Sequence, residues 1–260
     1  ARRASVGGGG GDGVWWWRGR EWWCGLVRRR RRRRPFHGRG GGGPFPGAVE
    51  VAVAPADGYT IGSFIIAVPV VGPNIGIPEL SPDPFEPLGT FLTYPFVIVA
   101  GKDAPYDDMA GLAAYAKEND VALGHFGAPL VPTQVTKALA KEMGFAYASD
   151  AAFDALDCNT LASGDVDVIN TTLQLVLPCL DEVKVLASIG EQRISLTPDA
   201  PTVAELAPDL NVSLWNGLFV HKDTPADVRE KIIAVAAETV MSERAQALAA
   251  ETGALVYWKD

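Results

Sequence analysis

Short apolar runs alternate with amphipathic segments along the chain from residue 44 onward. The runs at residues 61–71, 96–100, 121–126, 166–169 and 183–187 are rich in apolar and β-branched side chains, and Gly or Asn follows most of them. Runs of this length and composition predict buried β-strands, the first of them together with its following loop.

Amphipathic segments lie between and after these runs. Asp107 begins one predicted helix, Thr133 is the expected N-cap of a second, and residues 153–161 form a third. Residues 227–252 carry apolar side chains on one face and are predicted to close the fold as one helix packed on a lobe. Strands that alternate with helices in this way predict an α/β fold.

The segment that follows the strand at residues 121–126 is the leading candidate for ligand binding. It reads GAPLVPT over residues 127–133, so a strand, a Gly/Pro loop and a helix N-terminus follow one another. Ligands of open α/β sheets bind beyond the carboxyl ends of strands, and helix N-termini favour anions. An ordinary strand-to-helix connection is the alternative interpretation.

Charge is distributed unevenly along the chain. Residues 1–43 hold 12 Arg among runs of Gly and Trp, whereas the remaining residues carry a net charge of about −18. An acidic body argues against a nucleic-acid partner, because phosphate contacts need Lys and Arg. One interpretation of residues 1–43 is an Arg/Trp arm that binds nucleic acid or a membrane surface. Their lack of any helical or strand period instead favours letters that come from a GC-rich gene read out of frame, or from residue types assigned from a map.

The three cysteines are Cys24, Cys158 and Cys179. The last two could pair in an oxidising compartment, but we expect two free buried thiols. No apolar run reaches the roughly 18 residues that span a bilayer, and no signal-peptide core is visible, so we expect a secretory signal to have been removed or to lie outside this chain. Because no G-x-S-x-G, H-E-x-x-H or C-x-x-C motif occurs, we expect His125 and His221 to be structural, with no catalytic residue, metal or cofactor.

Several motifs in the acidic part of the chain resemble those of one receptor family. Residues 52–60 read AVAPADGYT, similar to A-x-A-x-P-D-G-Y-T with one extra residue, and residues 163–167 read SGDVD, similar to G-x-V-D. Residues 198–206 read PDAPTVAEL, and residues 215–219 read WNGLF. Over residues 47–260 the chain thus resembles the receptors of tripartite tricarboxylate transporters, the Bug family of periplasmic solute-binding proteins.

The resemblance implies two α/β lobes of the type II periplasmic-binding-protein fold, with a ligand cleft between them. Lobe 1 is expected to comprise residues 1–102 and 218–260, and lobe 2 residues 103–217. Lobe closure bends a few strand-end residues, and the expected hinges are Gly101, Lys102, Asn216 and Gly217. The expected ligand contacts are Gly10, Asp12, Ser63, Phe64, Phe126, Gly127, Ala128, Thr133, Asp150 and Thr171.

The resemblance also implies a function and partners. The protein is expected to be a periplasmic monomer that captures a small organic acid and delivers it to membrane permease subunits. Where the family has G-x-G-S-x-x-H, this chain has Pro129 and Pro132, which lack backbone donors, and Asp150 lies where the family has Y-K-G. We therefore expect a monocarboxylate, a dicarboxylate or an aromatic acid, and not a tricarboxylate. The alternative is an enzyme on a two-lobe α/β scaffold that acts on a small anionic substrate.

Overall fold

The computed structural model describes residues 44–260. Its strands are β1 (Gly62–Ile65), β2 (Phe85–Thr93), β3 (Phe96–Gly101), β4 (Ala122–His125), β5 (Ser149–Ala152), β6 (Val168–Thr172), β7 (Val183–Ile189), β8 (Trp215–His221) and β9 (Leu255–Lys259). Its α-helices are α1 (Phe45–Ala52), α2 (Ala67–Val71), α3 (Met109–Tyr115), α4 (Val131–Glu142), α5 (Cys158–Ala162), α6 (Leu173–Val176), α7 (Val203–Leu206), α8 (Ala226–Val240) and α9 (Glu243–Thr252), and four short 3-10 helices lie between them. Within this range, none of the helices has the length and apolar character required to cross a membrane.

The strands form two separate sheets. One has four strands in the order β1-β8-β2-β9, and the other has five in the order β5-β4-β6-β3-β7. All pairs in the four-stranded sheet are antiparallel. In the five-stranded sheet β4 pairs in parallel with β5 and β6, whereas β3 runs antiparallel to β6 and β7. The predicted two-lobe α/β fold is confirmed, with lobe 1 built on the four-stranded sheet and lobe 2 on the five-stranded sheet.

Two chain crossings join the lobes. The first is Tyr94 and Pro95, between β2 and β3, and the second ends at Leu214, directly before β8. They run side by side, since the Tyr94 N–H donates to the Leu214 carbonyl at 2.8 Å. After the first crossing β3 joins the five-stranded sheet, and after the second crossing β8, which starts at Trp215, joins the four-stranded sheet. The chain changes sheets several residues before the expected boundaries at 102/103 and 217/218.

Each sheet packs against its own buried core. In lobe 1 the ring of Phe64 stacks on Phe219 with centroids 5.3 Å apart and meets Phe85 edge-on at 4.8 Å. In lobe 2 the adjacent residues Ile98 and Val99 of β3 belong to two different buried clusters. Because successive side chains of a strand point to opposite faces, both faces of this sheet are covered. Burial on both faces fixes the register of the strands and so the position of the loops at their ends.

Three predicted elements differ in the structure. The run at residues 61–71 splits into β1 and the short helix α2, so only its first part is a strand. In the segment 153–161 the helix starts only after Asp157, whose side chain accepts from Asn159 N. The long helix predicted over 227–252 is divided into α8 and α9, with Ser242 capping the second. Short polar side chains that bond to nearby backbone favour helix starts over helix interiors, which explains the last two differences.

Cys158 and Cys179 form a disulfide, so the prediction of two free thiols is wrong. Their Cα atoms lie 6.1 Å apart, within the range that a disulfide spans. Cys158 opens α5, and Cys179 follows α6, so β6 lies between them in the chain. The bond ties together the two segments that flank this central strand of lobe 2.

A capping box fixes the start of α7. The Thr202 hydroxyl accepts from Glu205 N, and the Glu205 carboxylate accepts from Thr202 N, both at 3.1 Å. Arg193 pairs with the same carboxylate. The bond from Arg193, followed by the backbone bond from Thr202, lowers the pKa of Glu205 to about 2.

The contribution of Glu205 to stability is expected to be lost in acid. Because its folded-state pKa lies below its ordinary value of 4.5, the contribution is complete above that pH and declines as pH falls toward 2. Glu205→Gln should melt below the wild type at pH 7, and the gap should narrow at pH 3. The measurement is thermal unfolding of both proteins across this range. Glu191→Gln, at an exposed carboxylate that has no ion pair within residues 44–260, is the control. A gap for Glu205→Gln that stays constant with pH would contradict the prediction.

Candidate functional site

The loop after β4 lies at the edge of lobe 2 where the crossings are. β4 and β6 run in parallel and end at His125 and Thr172. Thr172 pairs with Phe96, the first residue of β3 after the first crossing. The carboxyl ends of β4 and β6 therefore share an edge with the crossing, which is where open α/β sheets bind ligands. We call residues 126–130 the jaw loop.

Hydrogen bonds within lobe 2 define the shape of the jaw loop. Gly127 has a φ of +151°, a conformation that residues with side chains rarely adopt. Its N–H donates to His125 Nδ1 at 3.0 Å, and its carbonyl accepts from Leu130 N at 3.2 Å. Gln134 Nε2 donates to the Ala128 carbonyl. The loop is thus held in one conformation from its own lobe.

The jaw loop and the first turn of α4 contain several unpaired donors. α4 begins at Val131 with Leu130 as its N-cap, so Thr133 lies inside the first turn and the prediction that it is the N-cap is wrong. The N–H groups of Ala128, Val131 and Thr133 have no acceptor among the described residues. The Thr133 hydroxyl is fully buried and has no hydrogen-bond partner there either. Unpaired N–H groups at the positive end of a helix dipole attract an anion.

Polar side chains of lobe 1 meet beside the crossings. Asn216 Nδ2 donates to Ser63 Oγ at 3.1 Å and to the Tyr94 hydroxyl at 2.8 Å. The Asn216 Oδ1 atom is buried and has no partner within residues 44–260. The ring of Tyr94 contacts Phe96, and Phe96 contacts Phe126, with centroid distances of 6.5 and 6.4 Å. A continuous series of contacts therefore connects this polar cluster with the jaw loop.

Asp150 is engaged by two side chains of its own lobe. Its Oδ2 atom lies 2.7 Å from Lys137 Nζ and 2.7 Å from His125 Nε2. Hydrogen bonds, first from Lys137 and then from His125, lower the pKa of Asp150 below its ordinary value. The carboxylate is therefore ionised at neutral pH and is neutralised locally by Lys137. The bonded oxygen of Asp150 is thus engaged within lobe 2.

Two other expected contacts, Phe64 and Thr171, are already engaged within their own lobes. Phe64 is fully buried in the core of lobe 1. Thr171 is also fully buried, and its hydroxyl donates to the Leu156 carbonyl at 2.7 Å. The ring of Phe64 is thus occupied by core packing, and the Thr171 hydroxyl already has an acceptor, whereas the buried Thr133 hydroxyl has none. Gly10 and Asp12 lie outside the described residues. Among residues 44–260 no group of three His, Cys, Asp or Glu side chains is placed to hold a metal ion.

The expected hinge residues fall into two groups. Gly101 and Lys102 lie at and beyond the end of β3 farthest from the first crossing, so they do not connect the two sheets. Asn216 and Gly217 lie in β8 just after the second crossing. The sequence analysis did not identify Tyr94 and Pro95 as the first crossing between the lobes. The residue before a proline is restricted to extended backbone, and this restriction is a sequence signal for an extended connection.

Family and sequence comparisons match most of the chain. Residues 37–259 match the model of the tripartite tricarboxylate transporter family receptor, TctC. A UPF0065 protein from the TAR-I ttuE-ttuC' intergenic region of Agrobacterium vitis is 31% identical over 216 residues, covering 74% of this chain and 58% of that protein. The chain spans about three fifths of the length of the curated relatives that it matches.

Solved structures share the two-lobe architecture. The periplasmic binding protein BugD is 25% identical with a TM-score of 0.72, covering 84% of this chain and 75% of that protein. MatC from Rhodopseudomonas palustris, solved with bound malate, is 24% identical with a TM-score of 0.67, covering 80% of this chain and 74% of that protein. These likenesses agree with the fold derived from the two sheets and their crossings.

Proposed function

The chain belongs to the tripartite tricarboxylate transporter receptor family, and on that premise we propose that it is a solute-binding receptor that closes its lobes on a small organic acid. The unpaired donors at the start of α4 carry the proposal. A carboxylate is an acceptor-only group with two oxygens, so it complements the N–H groups of Ala128, Val131 and Thr133. It would also satisfy the buried Thr133 hydroxyl, whose desolvation otherwise costs about 1–3 kcal/mol.

The surroundings of these donors favour a ligand with few charges. Pro129 and Pro132 supply no N–H group to a ligand. The rings of Phe96 and Phe126 lie in contact beside the jaw loop, so they offer apolar surface to the body of a ligand. On the lobe 1 side, Ser63 and Asn216 provide neutral polar groups. We therefore propose a monocarboxylate, a dicarboxylate or an aromatic acid, in keeping with the malate held by MatC.

We further propose that the receptor works in the periplasm as a monomer and passes its ligand to membrane permease subunits. The family description supports the transporter partner. The Cys158–Cys179 disulfide supports an oxidising compartment, because such bonds form and persist in the periplasm and are rare in the cytosol.

Thermal unfolding in the presence of single organic acids tests the receptor function. Malate, succinate, benzoate and citrate form a suitable panel, and a ligand present at a hundredfold its dissociation constant should stabilise the protein by about 2.7 kcal/mol. We expect stabilisation by one of the first three and little by citrate. No stabilisation by any acid of the three proposed classes would contradict the proposal, and chemical turnover of a stabilising acid would favour the enzyme alternative.

A further inference from the structure

His125 is a buried residue at the junction between β4 and the jaw loop. It is the last residue of β4 and is 2% exposed. Both of its ring nitrogens are engaged. Nδ1 lies 3.0 Å from Gly127 N, and Nε2 lies 2.7 Å from Asp150 Oδ2.

These two contacts select one form of the imidazole ring. A backbone N–H can only donate, so the Gly127 contact requires Nδ1 to be an unprotonated acceptor. The proton of a neutral ring is then on Nε2, where it is donated to the ionised carboxylate of Asp150. The protein environment thus fixes the neutral Nε2–H tautomer.

The same network reaches both ends of the jaw loop. His125 directly precedes the loop, and Lys137 lies in α4, the helix that follows it. Both side chains bond to Asp150 Oδ2 from β5 at 2.7 Å. The ring of His125 is therefore held by Asp150 on β5, and Asp150 is in turn held by Lys137 on α4.

Gly127 is the point where this network acts on the loop. Glycine has access to many backbone conformations, so sterics alone do not hold Gly127 at a φ of +151°. The bond to His125 Nδ1 gives its N–H a fixed direction. The Gly127 carbonyl accepts from Leu130 N, so the two bonds hold the peptide units on both sides of Gly127 and together orient the Ala128 N–H, one of the unpaired donors.

We propose that His125 is a positioning residue of the receptor: its Nε2–H tautomer, anchored by Asp150 and Lys137, holds Gly127 so that the jaw loop presents its donors to a carboxylate. The inference rests on the proposed function of the jaw loop. His125 does not touch the ligand and acts through Gly127.

Two substitutions of His125 each keep one of the two hydrogen bonds that its ring makes and remove the other. In His125→Asn the side-chain oxygen lies near the former Nδ1 position and accepts from the N–H two residues later, which is the bond of an Asx turn. In His125→Gln the longer amide reaches Asp150, but the Gly127 N–H loses its acceptor. The two variants are matched in polarity and differ in which bond they keep.

Amide hydrogen exchange at Gly127 is the primary test, because it needs no ligand. Exchange should be about tenfold faster in His125→Gln and close to the wild-type rate in His125→Asn, since a lost hydrogen bond of this kind is worth about a factor of ten. Malate is the probe acid for binding. Its dissociation constant should rise in His125→Gln and stay close to the wild-type value in His125→Asn. Nitrogen-15 spectra of the wild type at pH 7 should show a protonated Nε2 and an unprotonated Nδ1 at His125.

The outcomes separate this inference from the proposed function. Equal exchange rates in the two variants, or a protonated Nδ1 in the wild type, would overturn the positioning role. If the contrast in exchange is seen but the wild type binds no acid of the panel, the positioning role is supported and the proposed receptor function is removed. Equal melting temperatures of the two variants would show that the contrast is local to the loop.

Discussion

Replacing Cys158 and Cys179 together by alanine is expected to lower the free energy of unfolding by about 3 kcal/mol. The two residues are 21 positions apart in the chain, and their bond restricts the unfolded state by closing a loop of that size. Cys179 is also buried, so the smaller alanine side chain removes some packing from the folded state.

Urea unfolding of the oxidised wild type, the reduced wild type and the double variant measures this effect. The reduced wild type should fall close to the double variant, because both lack the cross-link. Cys24→Ala is the control for the third thiol, and it should preserve the difference between oxidised and reduced protein. A wild-type midpoint that does not respond to reductant would show that the bond is absent.

The disulfide illustrates what the sequence alone does not determine. The spacing of Cys158 and Cys179 along the chain is compatible with a disulfide or with two free thiols. Whether the disulfide forms depends on the distance between the two residues in the fold. That distance depends on where α5 and the turn after α6 lie relative to β6. Such placement follows from sheet order, which is a long-range property that local patterns do not report.

Five of the nine described strands were predictable, because their apolar runs are short, β-branched and clearly bounded, whereas β2, β5, β8 and β9 were not predicted. The strand at 96–100 and the strand at 183–187 both lie within observed strands. The sheet to which each strand belongs was harder to predict. The expected boundaries assigned all of β3 to lobe 1 and the first three residues of β8 to lobe 2, whereas β3 belongs to the five-stranded sheet and β8 to the four-stranded sheet. The apolar pattern of a strand does not show which of two sheets the strand joins.

The candidate site was predictable as a segment but not in its internal bonding. The order of strand, Gly/Pro loop and helix N-terminus identified residues 127–133, and the structure places this segment at the edge of lobe 2 beside the crossings. The bonds from His125 and Lys137 to Asp150 depend on β5 pairing next to β4. No spacing in the sequence brings these three side chains together, so their bonding was not predicted. The expectation that Asp150 contacts the ligand came from its position in the family resemblance.

Thr133→Val is expected to weaken ligand binding about 10- to 100-fold while leaving the unliganded protein as stable as the wild type or more stable by about 1 kcal/mol. The Thr133 hydroxyl is fully buried and has no partner within residues 44–260. Valine has the same shape without the hydroxyl, so it relieves the cost of burying an unpaired polar group. A hydrogen bond to a carboxylate is worth about 1.5–3 kcal/mol, and valine cannot make it.

Thr136→Val is the matched control, one turn further along the same helix. Thr136 is equally buried, but its hydroxyl donates to the Pro132 carbonyl and accepts from Asn170 Nδ2, both at 2.9 Å. Its replacement should therefore lower stability by about 1–3 kcal/mol, since it leaves the buried amide of Asn170 without its acceptor. Calorimetric titration with the acid that stabilises the wild type most, combined with urea unfolding, measures both quantities for each variant. If the two variants lose stability equally, or if Thr133→Val binds that acid as tightly as the wild type, the Thr133 hydroxyl is not a ligand donor and the carboxylate does not bind at the start of α4.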